Sequence, residues 1–511
     1  MSSQRSHPWM DCAPPKISIG SPHGRFFRRG VLYILLILVS LLSSCNFPLF
    51  SAVRRQSFSP DASIPPPLVS WTGMPSLTPF QPQVPSKTAP PTDLITPTKT
   101  PPPPTALSTW PAPNSGGLGP TPVTPVPPPF PLLSDSEAIN FLLVGSDRRT
   151  TSFRTDTLII VSLRPQQRLV TLISIPRDLY VYIPGWTMQR VNTAYQQGEL
   201  SGYPGGGPAL LKDTLLYNLG IRIDHVAMIE FDGFRQIVDT LGGIDVPLAC
   251  PFTDWHIINP KRSDQDPNNW QLYTIGPGLV HMDGDLALWY ARSRLRSSDF
   301  DRGRRQQEVL RAIYTQALRL NVIPHLPRLY HDLRYTVTTD LSLDDLLALT
   351  PLASDLSAPS VRSFYINRDH LVAWRTPQGA AVQLPDLPAI QALIQDAMSP
   401  LGEGEAAHLE TVVEIHNGTD RPDLDILAAE RLHYAGFETR LASADSPPQE
   451  HTQLYDLTSA QDPTQSRALL EALGMPASSL VSSPEPLSPV AYRLVLGNDY
   501  DPCFNPADLT H

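Results

Sequence analysis

The sequence predicts an α/β fold: a sheet covered on both faces by helices, followed by a small second α/β domain. Two observations carry that expectation. Short apolar runs of strand length alternate with segments of helical spacing from about residue 134 onward, and such interleaving implies three layers. Polar clusters then fall at the ends of the apolar runs, where ligands usually sit in sheets of this kind. Of 511 residues, 57 are proline, and 24 of these lie between Pro60 and Pro131, so the folded part stands apart from what precedes it.

The elements follow in order. Ile139-Asn-Phe-Leu-Leu-Val-Gly145 is a buried strand ending in a glycine turn. Thr157–Leu163 and Leu169–Ile175 are two more, and Arg164–Arg168 between them is short enough for an antiparallel hairpin. Pro208–Leu219 has helical spacing, with Leu210, Leu211, Leu215, Leu216 and Leu219 apolar. His225–Phe231 is a strand, and Phe234–Leu241 a helix stopped by Gly242-Gly243. Asp283–Ser293 and Arg302–Leu320 are helical, and 335–349 reads as strand, cap and helix. Gly402–Glu405 marks a boundary. Beyond it Thr411–Gly418, Phe437–Leu441 and Tyr492–Gly497 are strands, with helices at Leu424–Tyr434 and Ala468–Leu473.

Composition narrows the function. A net charge of −10 argues against non-specific nucleic-acid binding, whose affinity comes from basic residues neutralising phosphates. Four cysteines, at 12, 45, 250 and 503, are too widely spaced for a zinc ligand pair. At the amino terminus Arg25, Arg28 and Arg29 precede the apolar run Val31–Leu42, as in an export signal. Leu42-Ser-Ser-Cys45 resembles a bacterial lipobox, with Cys45 as the lipidation site. Residues 31–53 carry no charge and are also long enough to span a bilayer, so residues 1–55 are a cleaved lipoprotein signal or an uncleaved anchor. Both put the remainder outside the cytoplasm, against the membrane. Residues 56–133 are a Pro/Thr-rich spacer that cannot bury enough apolar surface to fold, with a contour on the order of 200 Å.

Four polar clusters interrupt the apolar pattern of the first domain: Gly145–Arg148, Arg154–Thr157, Ser174–Asp178, and Tyr290–Arg294 with Asp299–Gln307. Residues 291–305 hold six arginines against two aspartates. Asp147 and Asp156 are hard oxygen ligands suited to Mg²⁺, which takes one or two carboxylates plus substrate phosphates. Arginine forks match phosphate oxygens and stabilise charge on a transferring phosphorus. Arg302 and Gln306 share one helix face. The plain alternative is that Arg292, Arg294 and Arg296 line a solvated edge and the two aspartates make turns. Arginine outnumbers lysine 34 to 5 throughout, which weakens any argument from one arginine.

The order of these motifs resembles the LytR-CpsA-Psr family of cell-envelope phosphotransferases. The likeness runs through Leu143–Arg148, Phe153–Thr157, Ser174–Val181, Arg190–Tyr195, Ile223–His225, Phe231–Phe234, Leu241–Val246, Gly276–Gly278, Met282–Gly284, Ala287–Arg294 and Asp301–Gln307. The resemblance implies a mixed sheet between helices over residues 134–400, with an apolar pocket for a polyprenyl tail and a pyrophosphate head among arginines and Mg²⁺ or Mn²⁺. It implies metal-linked roles for Asp147 and Asp156. Arg154, Arg177, Asp178, Arg292 and Arg294 are expected to be catalytic, and Arg148, Asn192, Arg302 and Gln306 to bind substrate. Asp156 and Asp178 are both open as the general base. The implied reaction moves a phosphoglycan from polyprenyl pyrophosphate onto peptidoglycan. A membrane-tethered lipid-binding regulator without transfer activity is the alternative. Residues 408–500 resemble the LytR C-terminal domain, whose His416 and His433 read as structural. An exported location permits Cys250 and Cys503 to pair.

Overall fold

The computed structural model describes residues 127–504, apart from 134–136, 150–151, 260–261, 264, 295, several positions between 323 and 335, 443–446 and 459–462. The export signal, Cys45 and nearly all of the spacer lie outside the described residues. Among those described, no helix is long and apolar enough to cross a membrane.

Six strands form the central sheet: β1 (Ile139–Arg149), β2 (Ser152–Arg164), β3 (Leu169–Ser174), β4 (His225–Glu230), β5 (Val337–Thr339) and β6 (Val361–Tyr365). Their spatial order is β5-β4-β1-β2-β3-β6. β1 and β4 run parallel, as do β3 and β6, whereas β1–β2, β2–β3 and β4–β5 are antiparallel, so the sheet is mixed as the resemblance implied. Alternation along the strands splits the apolar residues between two layers. Phe141, Ile159 and Val161 face α2 (Phe231–Thr240), α3 (Gly284–Arg292) and α4 (Asp299–Arg319). Leu142, Val144, Leu158 and Ile160 face α1 (Gly206–Leu219) and α5 (Leu387–Ala397). Each such side chain taken out of water contributes about 1.5–3 kcal/mol.

Several boundaries differ from the expectation. β1 continues to Arg149 and β2 starts at Ser152, so the clusters at 145–148 and 154–157 lie within paired strands rather than beside them. An antiparallel ladder satisfies backbone groups whatever the side chains, and it therefore runs on past the apolar stretch. α2 begins at Phe231, three residues early. Its first turn carries Asp232, and a Cβ on Gly233 would meet Thr336 Cγ2 at 2.3 Å. α4 begins at Asp299, behind a capping box of Ser298 and Asp301. The spacer, expected to reach residue 133, is already bound to the domain at 127. Tyr217 donates its hydroxyl to Pro127 O at 2.8 Å, and the Phe130 and Leu133 N–H groups donate to Tyr217 O and Gly220 O. Gly220 (φ 69°) is required there, because a Cβ would sit 2.1 Å from Pro131 O.

The second region holds β7 (Val412–Asn417), β8 (Glu438–Leu441), β9 (Gln453–Asp456), β10 (Leu480–Ser482) and β11 (Tyr492–Leu496), in the order β8-β7-β11-β9-β10. α6 (Leu424–Tyr434) and α7 (Pro463–Leu473) complete its core. The expected boundary at Gly402–Glu405 is occupied by the start of a helix, Glu403–Glu410. Both regions belong to one compact unit. Arg311 of α4 pairs with Glu430 of α6 at 3.3 Å and lies 4.2 Å above the Tyr434 ring. Cys250 and Cys503 form a disulfide between the two regions. His433 bonds Thr439 and His416 bonds Glu414, both within the second region.

Candidate functional site

The β1–β2 hairpin carries the irregularity that shapes the site. Gly145 pairs with Thr157 but Ser146 pairs with Thr155, leaving Asp156 as an extra, bulged residue. A bulge of this kind re-aims a side chain and is common beside active sites. Asp156 Oδ1 receives Arg177 Nη1 at 2.6 Å, and Thr155 turns its hydroxyl to Asn192 O at 3.3 Å. Arg177 itself follows β3, on the turn that Ile175-Pro176 opens.

Around Arg177 the charges alternate. Its Nε lies 3.4 Å from Asp178 Oδ2, and Asp178 Oδ1 lies 3.4 Å from Arg190 Nη1. Asn192 is 2% exposed and braces the same turn, its N–H donating to Arg177 O at 3.3 Å. A second alternation comes from α4. Asp299 Oδ1 lies 3.2 Å from Arg302 Nη1 and 3.6 Å from Arg294 Nη1.

The two groups are close enough to act on each other. Burial works against the Arg177 charge, but Asp178, Asp156 and Asp299 outweigh it and hold its pKa above the ordinary guanidinium value. Arg302 goes the other way. Burial of a side chain only 8% exposed, with repulsion from Arg177 and Arg294, pushes it below the ordinary value against the attraction of Asp299 and Asp156. A cation held in such surroundings is stabilised by an arriving anion.

One turn along α4 from Arg302, Gln306 donates to Thr157 Oγ1 at 2.8 Å and to Ala291 O at 3.2 Å. Thr157 and Gln306 also line a cavity of about 880 Å³, counting its mouth. Its walls are Leu143, Ile159, Ala227, Ile229, Phe234, Ile237, Val309 and Ile313, between the sheet and α2–α4. Arg292, at the end of α3, lies on the rim with its guanidinium 3.8 Å above the Phe231 ring. An apolar cavity with a few polar groups at one end is the usual form of a ligand site.

The structure thus gathers Asp156, Arg177, Asp178, Asn192, Arg294 and Arg302 in one charged region, and Arg292 and Gln306 on the adjoining rim. Asp147, Arg148 and Arg154 have placed backbones, Asp147 opposite Arg154 in the hairpin, but their side chains lie outside the described residues. Sequence reasoning missed Asp299 as a site residue, because it started the helix at Arg302 and so did not place Asp299 one turn from that arginine. Arg305, from the same arginine-rich stretch, is 0% exposed and has a different task. It bonds Tyr290 O and Ser293 O, with the Phe252 ring 4.5 Å away, and burial pushes its pKa down to about 10.

Among the described residues no three of His, Cys, Asp and Glu converge as a metal cage. The backbones of Asp147 and Asp156 stand on neighbouring strands, and one or two carboxylates with water and phosphate oxygens make up a usual Mg²⁺ shell.

Residues 122–397 match the profile of the LytR-CpsA-Psr family, and residues 410–500 that of the LytR cell envelope-related transcriptional attenuator. A polyisoprenyl-teichoic acid–peptidoglycan teichoic acid transferase, TagU of Oceanobacillus iheyensis, is 32% identical over 221 residues, covering 43% of this chain and 63% of that protein. The probable cell wall biosynthesis protein LcpB of Corynebacterium glutamicum is 33% identical over 206 residues, 37% of this chain and 44% of that one. The chain spans a little under two thirds of the length of the first curated relatives it matches. The crystal structure of Bacillus subtilis TagV aligns with 52% of this chain and 100% of its own at 24% identity and a TM-score of 0.41.

Proposed function

From a chain that belongs to the LytR-CpsA-Psr family, we propose an extracytoplasmic, membrane-tethered transferase that moves a phosphoglycan from a polyprenyl-pyrophosphate carrier onto peptidoglycan. The observation that carries this reading is an apolar cavity lined at one end by Arg292 and Gln306, with a cluster of mutually repelling arginines beginning one helix turn away at Arg302. The cavity suits a prenyl tail, and the arginines suit a diphosphate.

On this reading the tail lies between Ile159, Ile229, Phe234 and Ile313. Arg177 and Arg302 bind the diphosphate, with Arg292 and Arg294 on its outer side. An acceptor hydroxyl attacks the glycan-linked phosphorus in line. The new P–O bond forms as the bridging P–O bond breaks, the hydroxyl proton passes to water, and polyprenyl monophosphate departs. The arginines neutralise the charge gathering on that leaving group. Asp147 and Asp156 would hold Mg²⁺ or Mn²⁺, which supplies Lewis-acid neutralisation of phosphate oxygens. Asp178, between two arginines, orients Arg177 rather than taking a proton, and Asp156 is engaged with the same guanidinium.

The test supplies the purified protein with a polyprenyl-pyrophosphate glycan, peptidoglycan oligomers and Mg²⁺. Transfer is expected, and it is lost in Asp156→Ala and Arg177→Ala. The second reading, a lipid-binding regulator, draws on the attenuator profile of residues 410–500. Tight prenyl-lipid binding by the wild type with no turnover would establish that reading instead.

A further inference from the structure

We propose that Asp299 is a built-in competitor for the anion site: its carboxylate takes the place of a phosphate between Arg294 and Arg302 and returns there when the product leaves. This rests on the arginine cluster being the diphosphate site.

Three observations carry it. First, one oxygen, Asp299 Oδ1, lies within 3.6 Å of Arg294 and 3.2 Å of Arg302, as a bridging phosphate oxygen would. Second, Asp299 is not needed to close its helix. The N-terminus of α4 is capped by Ser298 and Asp301, whose side chains exchange hydrogen bonds with each other's backbone N–H groups at 3.1 and 3.0 Å. Third, the carboxylate reaches beyond its two contacts, since it also favours the charged form of Arg177. Asp299 is therefore the shared counter-ion of Arg294 and Arg302, within electrostatic reach of Arg177.

The chemical consequence concerns the difference between substrate and product. A diphosphate brings more charge and more acceptor oxygens than a monophosphate, so it displaces a resident carboxylate more readily. With Arg177, Arg190, Arg294 and Arg302 against Asp156, Asp178 and Asp299, the cluster carries a net charge of about +1; without Asp299 it would carry about +2 and would retain a monophosphate longer. Asp299 thus weakens the hold of the cluster on any phosphate and speeds release of polyprenyl monophosphate. No bond is made or broken in this exchange.

The experiment measures binding of inorganic phosphate and inorganic pyrophosphate to the full chain by calorimetry, with EDTA present so that no metal contributes. At an effective dielectric near 20, removing a negative charge a few ångströms from a bound anion strengthens binding by about 10-fold or more. Asp299→Asn is expected to bind phosphate at least about 10-fold more tightly, with at least as large a gain for pyrophosphate. Ser298→Ala loses the helix cap but no charge near the site, and is expected to bind both as the wild type does. In the transfer assay, Asp299→Asn should show a lower kcat and stronger inhibition by polyprenyl monophosphate. Unchanged or weaker phosphate binding in folded Asp299→Asn would overturn the proposal, because a residue that only positions Arg302 gives that result. Since anion binding is read without turnover, a protein that never transfers glycan but shows the tightened binding would refute the transferase reading and leave this one standing.

Discussion

The two faces of the central sheet are made by the same strands and packed in opposite ways. On one, Leu142, Val144, Leu158 and Ile160 meet Leu210, Leu211, Leu215, Ile390 and Ile394, and none is more than 1% exposed. On the other, Ala227 and Ala291 stand in the walls of an apolar cavity between the sheet and α2–α4. Protein interiors are close-packed, so this face forgoes packing contacts that the first one makes. One face supplies stability and the other gives some of it up.

Mutations can break that contrast. The largest effect is expected on the solid face, where Ile160→Ala should cost about 2–5 kcal/mol in urea unfolding. Ile159→Ala, its neighbour on the hollow face, should cost less, because one side already lacks packing partners. In the charged cluster, Arg302→Ala should lower transfer by about 10²–10³-fold, the effect of removing a preorganised donor, while the fold is retained by circular dichroism. The same enlargement on both faces sharpens the comparison. Ala397→Phe, at a fully buried position, should destabilise by about 1–3 kcal/mol. Ala291→Phe, on the cavity wall, should leave Tm nearly unchanged and weaken prenyl-lipid binding at least about 10-fold.

The smallest effect concerns Asp340, which ties the sheet to α1. Burial pushes its carboxyl up, but bonds from His225, Lys212 and the Val226 N–H outweigh that and hold it down at about 2, from an ordinary 3.8. A depressed carboxyl adds stability that is present above its unfolded pKa and fades as pH falls through the folded one. That contribution should therefore be complete above about pH 4 and disappear toward pH 2. Asp340→Asn should lose it at neutral pH and show a flatter stability profile over that window.

Much of this was legible in the sequence. The apolar runs at 139–145, 157–163, 169–175 and 225–231 are the four inner strands, because a strand buried on both faces must be apolar throughout. β6 was missed: Val361-Arg-Ser-Phe-Tyr365 is an edge strand, whose mixed composition has no such constraint. The extended β1–β2 ladder was missed for the same reason, and with it the bulge that places Asp156. The arginine-rich stretch pointed to an anion site but could not separate Arg302, paired with Asp299, from Arg305, bound to carbonyl groups three residues later. That division is set by Phe252, Tyr290 and Ser293, which reach α4 only through the tertiary fold.

The most direct test of the central claim is a crystal structure of the protein with a polyprenyl diphosphate. The account predicts the prenyl chain between Ile159, Ile229, Phe234 and Ile313, with the diphosphate in hydrogen-bond contact with Arg177 and Arg302. A lipid bound elsewhere, with the cavity still open and Arg302 still paired to Asp299, would contradict it.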